Sequence, residues 1–133
     1  VQIVTPIDVE DALASELDAR LPNASVHAAP APDNIGVGVV VIESLGGGRQ
    51  TLVSDLYDVV AYCYADSYAD AMALGASVSG EIRAIQADGQ AVAGVEWTTT
   101  DANPPYNDPD PDRPTLRRAT VRATVAARGI PIN

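Results

Sequence analysis

Lysine and phenylalanine are absent from this sequence, cysteine and histidine occur once each, and no long apolar run is present. Each absence removes a class of function. The lone Cys63 cannot close an intrachain disulfide, which points to a reducing compartment. Placed on a strand with Ala61 and Ala65 on its face, it reads as a buried, inert thiol. The one histidine, His27, lies between Val26 and Ala28, far in sequence from Cys63. No zinc set can be assembled from that pair, and no nucleophile elbow accompanies His27 for a Ser-His-Asp triad. The longest apolar run, residues 37–42 with Gly38 inside it, is far too short to span a bilayer. No basic segment leads into an apolar stretch, so no signal peptide is expected. The missing lysine and phenylalanine, beside abundant alanine, glycine and arginine, indicate a GC-rich genome rather than a chemistry.

What is present suits one globular domain over residues 1–133, at 47% hydrophobic and 20% charged residues. The net charge of −10 conceals an asymmetry. All 18 acids lie within residues 1–112, against Arg20, Arg49 and Arg83 only, whereas residues 113–133 carry five arginines and no acid. A body so acidic repels nucleic acid non-specifically, and the basic segment needs its own explanation.

The periodicities predict an α+β fold, with an antiparallel sheet of about four to five strands and two helices packed on one face. The first helix carries Val9, Leu13, Leu17 and Leu21 on one stripe, with Ala12 beside them. It is expected to start from Thr5 as cap and Pro6 as first helical residue, with Asp8 closing a capping box, and to end at Pro22. A short strand holds His27. A hairpin follows over residues 35–66, its turn expected at Gly46, Gly47 and Gly48, because glycine alone enters positive φ without penalty. Both faces of its second arm are mostly apolar, so that strand is central or meets a neighbouring subunit. The second helix is capped by Ser67 and buries Ala71, Leu74, Val78, Ile82 and Ile85. Gly75 and Gly80 suit close packing on the sheet, and Gly89 closes the helix. A strand over residues 91–100 follows. The last strand alternates Ala119, Val121, Ala123, Val125 and Ala127 inward with Arg118, Thr120, Arg122, Thr124 and Arg128 outward.

Between those last two strands lies NPPYNDPDPDRP, residues 103–114, with five prolines and three aspartates. Asp108, Asp110 and Asp112 match the first, third and fifth positions of a calcium loop. Arg113 then stands where that loop needs glycine and Ala119 where it needs the bidentate glutamate, so a solvated acidic loop stiffened by proline is expected instead. The glycines at 36 and 38 and at 46–48 lack the residues of a phosphate cradle. No motif points to catalysis, no cofactor or metal is implied, and no enzymatic activity is expected. The outward arginines, with Arg117 beside Arg118, and the tyrosines Tyr62 and Tyr64 are candidates for a subunit interface, since Arg and Tyr are enriched there. The arginines face either the acidic body of an identical neighbour, the favoured reading, or DNA phosphates.

The order of elements, with LGGGRQTLVSDLYDVVAYCYAD, SYADAMALGASV, the Pro104–Pro105 and DPDPDRP loop, and LRRATVRATVAARG, resembles the tail terminator (tail completion) proteins of long-tailed, non-contractile bacteriophages over about residues 5–129. The resemblance implies a structural virion protein in the neck region of the tail, assembled in the host cytoplasm, with no membrane association. It implies a homohexameric ring that binds the tail-tube protein on one face, ends tube polymerisation, and meets a head-completion or connector protein on the other, while DNA passes through the lumen without specific binding. Gly46, Gly47, Gly48 and Arg49, and Pro104, Pro105, Tyr106, Asp108, Asp110 and Asp112 in a projecting 101–114 loop, are the candidate axial docking residues. Another neck component, such as a head–tail connector, stopper or tube-like protein, and a small acidic binding module are the alternatives.

Overall fold

The computed structural model describes residues 3–88 and 94–132. Its elements run β1 (Ile3–Thr5), α1 (Val9–Arg20), β2 (Ser25–Ala28), β3 (Val39–Arg49), β4 (Ser54–Ala65), α2 (Tyr68–Asp88), β5 (Trp97–Ala102), β6 (Tyr106–Asn107), β7 (Arg117–Arg128) and β8 (Ile130–Ile132). The main sheet follows the order β2-β3-β4-β7-β5, with β6 also on β7. Only the β2–β3 pair is parallel within it. The fold is therefore α+β as expected, with a larger sheet than the sequence indicated.

Both helices lie on one face of that sheet. Val59, Ala61 and Cys63 of β4 and Val121, Ala123 and Val125 of β7 point toward them, meeting Leu13 and Leu17 of α1 and Val78, Ile82 and Ile85 of α2 in one core. Alternation along the strands and the four-residue stripe along α1 thus bury the residues their spacing selects. Cys63 is wholly buried in that core, and burial pushes its thiol up to about 12. β4 is central, which explains its two apolar faces.

Four local expectations are corrected. The first helix is capped by Asp8, whose carboxylate accepts the Asp11 amide at 3.2 Å. Thr5 instead ends β1, which pairs with β8 and ties the two ends of the chain together. Three paired residues on each side carry too little pattern to be seen in sequence. Second, Gly46, Gly47 and Gly48 lie within β3, and the turn falls on residues 50–53. There the Thr51 hydroxyl accepts the Val53 and Ser54 amides, a side chain replacing a backbone partner in a tight turn. The glycines mark a bulge: Ser44 pairs with Val59 and Gly47 with Tyr57, three steps on β3 against two on β4. Third, Gly75 packs closely as expected, but Gly80 faces open space. Fourth, the fifth strand begins at Trp97; residues 91–93 and Gly89 lie outside the described residues.

Side chains cap much of the sheet's rim. Asp18 accepts the Val26 amide on β2. On the opposite edge Gln86 accepts from Thr100, and Arg83 and Ser79 donate to the carbonyls of Ala102 and Asn103. Such capping discourages pairing with a foreign strand.

Candidate interaction interface

Residues 103–107 fold back along the edge of β7 rather than projecting, and residues 108–113 then roof one end of the sheet face turned away from the helices. Tyr106 and Asn107 pair with Thr120 and Ala119. Beyond them the Asp108 amide donates to the Arg118 carbonyl. Pro105 seats against Gly75, where a Cβ would stand 2.6 Å from the proline's own Cβ. Five prolines stiffen the segment, and pairing with β7 and packing on α2 fix its path.

Asp110 anchors this segment. Only 7% exposed, it accepts the Tyr64 hydroxyl at 2.9 Å, Arg113 at 2.9 Å and the Asp112 amide at 3.0 Å, with the Arg118 guanidinium 3.6 Å away. Burial alone would push its carboxyl up. The Asp112 amide, Tyr64, Arg113 and Arg118 more than offset that, so the group titrates below its ordinary value. Arg118 also reaches Asp108 at 3.2 Å and stacks over Tyr62, 4.7 Å from the ring centre. Burial works against its charge, but Tyr64, Asp108 and Asp110 hold it protonated. Thr120 donates to Asp108, and Tyr62 to Glu43.

This network redistributes the candidate residues. Tyr64 and Asp110 are buried, and Tyr62 and Arg118 are half-buried and engaged within the chain. They are not free for a neighbour. Arg128 is exposed and pairs with Glu96. Arg117 and Arg122 stay exposed, and neither forms an ion pair among the described residues. The Tyr106 hydroxyl beside Arg122 holds its guanidinium more firmly charged. Arg122 borders a recess of about 340 Å³ with Leu45, Asp58, Asp101, Asn103 and Thr124. Pro104, Tyr106 and Asp112 are exposed, Pro105 and Asp108 half-buried, and Gly46, Gly47, Gly48 and Arg49 all exposed at the turn end of the β3–β4 hairpin. The structure thus brings Asp108, Asp110, Arg118, Tyr62 and Tyr64 together and leaves the glycine segment apart from them.

Among the described residues no group of three His, Cys, Asp or Glu side chains is placed to hold a metal ion. Asp110 has its oxygens committed to Tyr64, Arg113 and the Asp112 amide. No described helix is long and apolar enough to cross a membrane. His27, half-exposed on β2, bonds Ser25 across 2.7 Å. Arg113, not singled out beforehand as an anchor, is the residue sequence reasoning missed; its position three residues after Asp110 was the available signal.

No family model matches the chain, and no curated protein matches it. Among solved structures the chain is similar to a chain of the virion of a native gene transfer agent particle, at 19% identity and a TM-score of 0.54. The match covers 91% of this chain and 95% of that one, so the two share a fold over nearly their whole lengths.

Proposed function

We propose that this chain is a structural subunit of a phage-like virion. In this reading it forms a ring, hexameric in the resemblance read from its sequence, that caps the tail tube, ends tube polymerisation and joins the tail to the head connector. The observation that carries the reading is the fold shared over most of its length with a chain of a gene transfer agent virion. It agrees with an element order that resembles tail terminators. The chain acts mechanically in this account, without catalysis.

The charge distribution fits such a part. At −10 per copy, six copies carry −60, and an acidic lumen lets DNA slide without adhering. Subunit pairing falls to Arg122 and Arg117, the exposed β7 arginines left without an acid, which face the acidic surface of the next copy. The 103–114 segment serves as a rigid docking platform. Its Tyr64–Asp110 anchor is set before any partner arrives, so little entropy is lost on binding.

The reading is tested by adding the purified chain to polymerising tail-tube protein of the same particle. Tubes should shorten as the ratio of chain to tube protein rises, with the chain found at tube ends by labelling. Tube lengths indifferent to the chain would oppose the proposal and favour a small acidic binding module.

A further inference from the structure

The glycines at 46–48 make no turn, so their presence within the end of β3 needs another account. Glycine weakens a strand, and within one it commonly marks a bulge or a place where another backbone approaches closely. Gly46 has φ +98° at the bulge, a conformation that favours glycine. At Gly47 a Cβ would stand 1.9 Å from the Leu56 carbonyl oxygen, so no side chain fits. Gly48 has neither reason: no atom lies within 4 Å of its would-be Cβ, and its φ is ordinary.

Gly48 lies on the uncapped part of the rim. β2 covers β3 only from Val39 to Ile42, and no described strand pairs with that edge beyond Ile42. Glu10 accepts the Ser44 amide at 2.7 Å and the Ser44 hydroxyl accepts the Gly46 amide at 3.3 Å, the two side-chain caps on this stretch among the described residues. Alongside Gly46–Arg49, against the start of α1, runs a groove of about 490 Å³. Pro6, Ile7, Leu56 and Tyr57 supply apolar walls, and Asp8, Glu10 and Asp55 outnumber Arg49 among its charged lining.

We propose that this open length of β3 and its groove form a strand-addition site for an extended, basic segment of another protein. Backbone bonding to Leu45–Arg49 supplies the affinity, alternate apolar side chains enter the groove, and basic ones meet Asp8 and Asp55. The excess of acid selects a basic segment over an acidic one. The site does not depend on ring formation and is tested apart from it.

The probe is a blocked nine-residue peptide alternating lysine with valine and threonine, titrated into ¹⁵N-labelled protein while amide shifts and hydrogen exchange are followed. Its glutamate-for-lysine counterpart is the control. Shifts and slowed exchange are expected at Gly46–Arg49 with the lysine peptide only, weakening as salt rises. Asp8→Asn with Asp55→Asn, which keeps a capping residue on α1, should weaken binding at least about tenfold. Exchange elsewhere in that double variant should match the wild type. Absence of protection at Gly46–Arg49, equal binding of the glutamate peptide, or full binding by the double variant would each overturn the proposal. Protection that appears without peptide and grows with protein concentration would overturn it too, by assigning the edge to a second copy.

Discussion

The Tyr64 hydroxyl donates to the Asp110 carboxylate at 2.9 Å, joining the central strand to a proline-rich segment 46 residues away. Tyr64 is 3% exposed and Asp110 7%, so the bond sits under the segment it secures. Truncating Asp110 leaves a buried hydroxyl and the half-buried Arg118 short of an acceptor. Asp110→Ala should therefore cost about 1–3 kcal/mol in urea unfolding, and Tyr64→Phe about 1 kcal/mol. The double variant should lose less than the sum, since the two share one interaction.

Acid should release the same anchor. Asp110 titrates below its ordinary value when folded, so its contribution is complete above the unfolded carboxylate range near pH ~4 and is lost as pH falls through the lowered value. Melting temperatures from pH 6 down to pH 2 should fall more steeply for the wild type than for Asp110→Ala. Parallel curves would remove Asp110 from the account.

The two small positions on α2 should respond in opposite directions. A methyl at Gly75 meets Pro105, so Gly75→Ala should destabilise and shift the amide resonances of residues 103–107. Gly80 is exposed with open space around it, so Gly80→Ala should stabilise by about 0.5–1 kcal/mol through helix propensity.

Cys63 should be silent in the native state. With its thiol wholly buried and pushed up to about 12, no thiolate forms near neutral pH. A thiol reagent at pH 8 should label it only after denaturant is added, at the rate of unfolding. Rapid native labelling would contradict the packing of β4 against the helices.

Much of the fold was legible because its signals are local. Val9, Leu13 and Leu17 repeat within α1, and Val121, Ala123 and Val125 alternate within β7; each pattern reports its face without knowledge of a partner. The failures came where distant residues decide. Glycines 46–48 resemble a turn, yet Gly47 and Gly48 pair across with Tyr57 and Leu56 of β4, which keeps them in the strand. The β1–β8 pair joins residues more than 120 positions apart through three pairs, too short for any periodicity. At the candidate interface the residue types were readable and their availability was not. Arg118 and Arg122 look equivalent four residues apart, but only Arg118 meets Asp108 and Asp110.

That difference separates two charge reversals. Arg118→Glu should destabilise the subunit itself, because it sets a third acid beside Asp108 and Asp110. Arg122→Glu should leave the melting temperature close to wild type and impair self-assembly, read by sedimentation on both proteins. If Arg122→Glu assembles as the wild type does, β7 is not the subunit interface.

The most direct measurement is the mass of the purified wild-type protein in solution, alone and with tail-tube rings of the same particle. A ring-sized oligomer, six copies in this account, should be present alone or form on the tube ends. A monomer that ignores the rings at every concentration would contradict the ring-subunit account.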